Sequence, residues 1–127
     1  MVSLPKFATC FLISAVSISA SLASVLASEV LKSEALRATL SDNTIQGSMT
    51  KTGPYSEYYQ PDGTIKGESY TGKWRVEDDK ACFIYNQPPE DCWAMTRDGD
   101  HVEWMKDGQV LGTGTVHPGN VNKYQEP

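Results

Sequence analysis

The spacing of apolar positions changes once along the chain. Between Ser28 and Leu40, Leu31, Ala35, Leu36 and Leu40 recur at helical spacing, with Glu29, Lys32, Glu34 and Arg37 between them. This predicts a short helix within residues 28–42, capped by Ser28, with Glu29 at the positive end of its dipole and Asp42-Asn43 as its stop. From Thr44 onward the period is two. Ile45, Gly47 and Met49 alternate with Thr44, Gln46 and Ser48, and strands are expected over 44–49, 55–60, 64–70, 73–77, 81–85, 92–97, 101–106 and 109–116. Lys51-Thr52-Gly53-Pro54, Asp62-Gly63, Asp78-Asp79, Asp98-Gly99 and Asp107-Gly108 separate these runs. Glycine supplies the positive φ of a tight hairpin and aspartate tolerates the neighbouring position. No connection is long enough for a crossover helix, which excludes a parallel sheet. The expected fold class is therefore all-β: an antiparallel up-and-down meander of about eight strands with one short N-terminal helix, a small barrel or half-barrel. Gly47, Gly67, Gly112 and Gly114 inside the runs mark bends that help a small sheet curl.

The segment before the helix has a different character. After Lys6, residues 7–28 carry no charge, and Phe11-Leu12-Ile13-Ser14-Ala15-Val16 is their apolar centre. Val25-Leu26-Ala27 fits the small-residue cleavage rule, with Ser21-Leu22-Ala23 as a second candidate. A retained anchor would need about 20 apolar residues; the interspersed serines and the lack of a cation on the far side favour cleavage. The organisation expected is a signal peptide over 1–27, a helix over 28–42, a β-meander domain over 43–120 and a polar tail over 121–127. The location expected is periplasmic or secreted, with no stable membrane insertion once the signal is removed.

Cleavage changes the charge and the cysteine count. Of 127 residues, 100 remain, and ten Lys and Arg against sixteen Asp and Glu leave a net charge of −6. An acidic chain with no clustered basic surface argues against nucleic acid as a partner and against adsorption to anionic lipid. Three cysteines become two, Cys82 and Cys92, separated by a β run and a turn with two prolines. An even pair in an exported chain reads as a structural disulfide across a hairpin. A redox pair would show C-x-x-C and a zinc site needs four ligands, and neither pattern is present.

Motifs for catalysis are sparse. His101 and His117 are the two groups that titrate near neutrality, and both fall at strand ends. No G-x-S-x-G occurs, and Asp78-Asp79, Glu90-Asp91 and Asp98/Asp100 fall in turns, where acids are common for backbone reasons. Asp98-x-Asp100 lacks the calcium loop with its distal glutamate. No catalytic residue, metal or cofactor is assigned.

A resemblance is carried by the order Asn43-Thr44-Ile45, Tyr58-Tyr59-Gln60-Pro61-Asp62-Gly63, Gly72-Lys73-Trp74, Cys82 to Cys92-Trp93, Asp98-Gly99-Asp100 and Pro118-Gly119-Asn120. It resembles small exported alphaproteobacterial proteins of a domain family of unknown function. The resemblance implies export and a lipocalin-like β meander, and it brings no known activity. Gly72-Lys73-Trp74 is also similar to the lipocalin G-x-W, which lipocalins carry on the first strand; here it sits mid-chain.

The aromatic residues carry the remaining signal. Trp74, Trp93 and Trp104 lie on three expected strands, each in register with an apolar neighbour (Val76, Met95 and Val102), and Phe83 and Tyr85 lie close by. They are expected to face inward, and Trp74, Tyr85, Trp93 and Trp104 are the candidate ligand-binding residues. Tryptophans in a domain this small also serve as core. The function expected is a non-enzymatic exported module that binds a small apolar or glycan ligand or another envelope protein. Two alternatives stand beside it: a hydrolase using His101 and nearby acids, and a protein inhibitor acting through the loop from Asn86 to Asp91.

Overall fold

The computed structural model describes residues 3, 15–17 and 28–126. The expected signal segment and its two cleavage sites otherwise lie outside the described residues. One helix, α1 (Ser33–Leu40), precedes eight strands: β1 (Asn43–Met49), β2 (Gly53–Tyr59), β3 (Thr64–Lys66), β4 (Thr71–Glu77), β5 (Lys80–Ile84), β6 (Asp91–Asp98), β7 (His101–Lys106) and β8 (Gln109–Pro118). Each strand pairs antiparallel with the next, and β8 returns to pair with β1, so the sheet closes into a barrel. The up-and-down order follows from the short turns, which allow no other connection.

The alternation read from the sequence is the alternation of burial. Ile45, Ile65, Met95 and Val102 are fully buried inside the barrel, and Trp74, Phe83, Trp104 and Val116 are nearly so. Helix α1 lies across one end, where Leu36 and Leu40 complete this core with no exposed surface. Thr39 is buried beside them, its hydroxyl accepting from Arg97 at 3.1 Å, and together they plug that end.

The helix begins at Ser33, five residues later than its periodicity suggests, and Ser28 does not cap it. Residues 28–32 are instead drawn to β6: Val30 forms a bridge with Thr96, and the Leu31 N–H donates to the Met95 carbonyl at 2.8 Å. The cause is a gap in the barrel wall. Strand β6 pairs with β5 only from Trp93 back to Asp91, so its second half has free backbone groups on that side, and these need partners. The helix takes its cap from a distant turn: Asp79 Oδ1 accepts the Ser33 N–H at 2.7 Å and its hydroxyl at 3.1 Å.

The β4–β5 turn uses two residues, Asp78 and Asp79, both at positive φ (50° and 59°) and neither a glycine. Short polar side chains enter this region at the least cost. At Asp107-Gly108 both residues are again left-handed, whereas at Asp62-Gly63 and Asp98-Gly99 only the glycine is. Strand β3 stops at Lys66, short of the 64–70 expected, because the Gly67 N–H turns back to the Tyr70 carbonyl at 3.0 Å. Strand β2 starts at Gly53, so Gly53 and Pro54 belong to the strand rather than to the break. The polar tail folds back, with Asn122 donating to Ser56 at 2.6 Å and Gln125 to the Tyr70 carbonyl at 2.7 Å.

Cys82 and Cys92 face each other across β5 and β6, with Cα atoms 3.9 Å apart and sulfurs bonded. Their neighbours Ala81, Phe83 and Trp93 point inward, so the disulfide lies on the outer face. A crosslink closing so short a loop contributes about 2–3 kcal/mol in the chain-entropy model.

The two bonds from Ser33 hold the Asp79 carboxyl below its ordinary value of 3.8. Its contribution is present above that pH and is lost as acid carries the solution down through the lowered value. Helical circular dichroism should therefore fall in acid before the β signal does, and Asp79→Asn should lose the helical signal's pH dependence. An unchanged acid profile in Asp79→Asn would show that the cap does not hold the helix.

Candidate functional site

An eight-stranded barrel is just wide enough to be filled by side chains or to hold one small ligand. Here the two halves differ. The α1 half is filled, while the other half holds a half-open cavity of about 470 Å³ beside the β1–β2 turn and the β5–β6 loop. The volume lies within the usual range for small-molecule sites.

Glycines on the β1–β8 seam set the position of one cavity wall, the Tyr55 ring. Gly47 pairs with Gly114, and a Cβ on Gly114 would overlap the Tyr55 hydroxyl and Ile45. With no side chain there, the Tyr55 ring crosses from β2, donates to the Thr113 carbonyl at 3.0 Å and accepts the Trp104 indole N–H at 2.8 Å.

Tyr55, Phe83, Trp93 and Trp104 supply aromatic faces to the cavity, and Met49, Pro54, Gln87 and Pro89 line its mouth. Phe83 and Trp104 pack edge to face at 5.4 Å, which fixes both rings. Strand β2 turns Tyr55, Glu57 and Tyr59 inward together, and this brings a carboxylate into the wall.

Glu57 is only 7% exposed and is surrounded by phenols. Tyr70 donates to Oε1 at 2.7 Å, Tyr59 donates to Oε2 at 2.8 Å, and the Tyr85 hydroxyl stands 3.0 Å from both oxygens. Among the described residues, no basic side chain pairs with it. A second acid, Asp91, stands at the mouth and is neutralised: it pairs with Lys106 and accepts the Trp93 indole N–H at 3.0 Å. The Lys106 ammonium also lies 4.4 Å above the Trp93 ring.

Of the expected site residues, Tyr85, Trp93 and Trp104 line the cavity. Trp74 does not: it lies beneath Tyr59, edge to face at 6.3 Å, with its indole N–H on the Gln60 carbonyl at 2.9 Å, and is core. Glu57, Tyr55, Tyr59 and Tyr70 were not expected. The available signal was the inward register of Glu57 between Tyr55 and Tyr59, an acid in an aromatic stripe. His101 stands on the outer face with its side chain 55% exposed, 3.9 Å from Glu103 and away from the cavity. Glu90, on the loop from Asn86 to Asp91, is gripped from outside by Arg75 at 2.8 and 2.5 Å. Cys82, Glu90 and Cys92 form a cluster of metal-ligand types, but both sulfurs are spent in the disulfide and neither is a thiolate.

Comparison with known proteins brings no relative: no family model, no curated protein and no solved structure matches the chain. The geometry of the cavity therefore carries the functional argument.

Burial pushes the Tyr55 phenol up to about 12. Burial first, and the Glu57 charge after it, push Tyr59, Tyr70 and Tyr85 well above the ordinary phenol range. All four remain protonated donors in neutral solution. The folded chain keeps these protons where an unfolded chain releases them, from the ordinary value of 10.0 upward. Stability from these groups should be complete below that pH and should fall as pH rises beyond it. A spectrophotometric titration at the tyrosinate band should show these four ionising above the ordinary phenol range, together with Tyr58, whose hydroxyl donates to Asp42 and is pushed up to about 12. Free ionisation of all six within the ordinary range would contradict the buried network.

Proposed function

We propose that this protein is an exported, non-enzymatic, lipocalin-like barrel that takes one small, largely apolar ligand into its open half. The observation that carries the reading is the half-open aromatic cavity in one half of the barrel, with the opposite end plugged by α1. Rings fixed by edge-to-face contacts and hydrogen bonds make a preformed site, which reduces the ordering cost of binding. The outward position of His101 supports a binding role over a hydrolytic one, since a general base must reach the bound substrate. Support for export comes from the uncharged run after Lys6 and from the disulfide, which persists in oxidising compartments.

N-phenyl-1-naphthylamine, an uncharged probe that brightens in dry surroundings, should give a saturable one-to-one signal with quenching of tryptophan emission. Trp93→Ala should weaken it about fivefold, near 1 kcal/mol for one lost aromatic contact. A folded barrel with no saturable uptake would refute the reading. Intact mass of periplasmic material should correspond to a chain starting at Ser28; full-length membrane-bound material would refute export.

A further inference from the structure

We propose that the ligand is an amphipathic cation, an ammonium group attached to an aryl or alkyl body, with its charged head against Glu57 and its body among the aromatic rings. This rests on the ligand-binding reading above and specifies its chemistry.

The charge inventory is the first argument. Glu57 and Asp91 are the two charged side chains that line the cavity, and no basic side chain lines it among the described residues. Asp91 already has Lys106, so Glu57 is the one charge in the wall without a counter-ion. A buried carboxylate is costly to keep unpaired, and its field is strong where water is scarce. A cation entering the cavity supplies the missing charge.

The direction of the hydrogen bonds is the second argument. The protons of Tyr59, Tyr70 and Tyr85 all point at Glu57, so the phenol oxygens turn lone pairs outward. A carboxylate has about four acceptor sites and these three protons leave one open. The indole N–H groups of Trp93 and Trp104 and the Tyr55 hydroxyl proton are also spent on protein acceptors. The polar surface deep in the cavity is therefore acceptor-rich and donor-poor. An ammonium carries three donors and no acceptor, which matches it. An anionic ligand would meet Glu57 with no donor to receive it. A sugar needs donors as well as acceptors, and the neutral donors on offer, Thr52 and Gln87, are both at the mouth. Alkyl amines stay protonated at neutral pH, as lysine does with its value of about 10.4. The faces of the surrounding rings add cation–π attraction.

The test is calorimetric titration of the purified protein with three naphthyl probes of similar size: 2-(1-naphthyl)ethylamine, 2-(1-naphthyl)ethanol and 1-naphthaleneacetate. The amine should bind at least about tenfold more tightly than the alcohol, ~1.4 kcal/mol, and the carboxylate weakest of the three. The preference for the amine should vanish in Glu57→Gln and persist in Tyr70→Phe, which keeps the charge. Equal binding of amine and alcohol would overturn the cation assignment and leave the ligand-binding reading intact. So would tightest binding by the carboxylate. A preference that survives Glu57→Gln would remove Glu57 as the anchor. Failure of all three probes and of N-phenyl-1-naphthylamine would overturn both readings. If Glu57→Gln does not fold, the order of the three probes on the natural protein decides the matter.

Discussion

The barrel depends on how closely β1 can approach β8. At their seam Gly47 faces Gly114 and Met49 faces Gly112. A Cβ on Gly47 would collide with the Thr113 carbonyl, so a larger residue there would force the two strands apart. An open seam would leave two edges of unpaired N–H and C=O groups, the liability that closure abolishes. The same missing side chains leave room inside for the Tyr55 ring, whose hydroxyl ties the seam at Thr113 to the far wall at Trp104. The same glycines thus serve both the closure of the sheet and the placing of the Tyr55 ring in the cavity wall.

The second constraint is the unequal filling of the two halves. An eight-residue helix has no stability of its own in water. Burying a leucine completely is worth about 1.5–3 kcal/mol, and α1 buries two, Leu36 and Leu40. Tertiary packing, with the cap from Asp79, therefore decides whether the helix exists. The price at the other half is a buried carboxylate, offset by three phenol donors whose hydroxyls have no comparable alternative in the wall.

Much of this architecture was legible in the residues. Period-two alternation placed every strand, because a strand wet on one side and packed on the other must alternate, and the turn chemistry set the antiparallel order. The boundaries that moved are those decided by distant partners. Ser28 does not start the helix because β6 captures Val30 and Leu31, a consequence of the short β5–β6 pairing that no local pattern records. The site was legible in part. Trp93 and Trp104 were found from their apolar register, yet Trp74, with the same register, is core because it lies on the plugged side of Tyr59. Depth along the barrel axis separates these tryptophans, and register carries no information about depth. Glu57 escaped notice because its meaning lies in the convergence of Tyr59, Tyr70 and Tyr85 from three different parts of the chain.

The bridge between Val30 and Thr96 also fixes an orientation. Thr96 lies two positions before the end of β6, in the half of the barrel that α1 covers, and Val30 runs antiparallel to it, so residue 28 points away from the mouth. Anything fused ahead of that residue leaves from the plugged end. A barrel held at a surface by such an N-terminal attachment would present its opening to the bulk, on the side opposite the tether. Attachment through the N terminus would thus leave entry to the cavity unobstructed, whereas a bulky group placed on the β1–β2 turn would stand in the doorway.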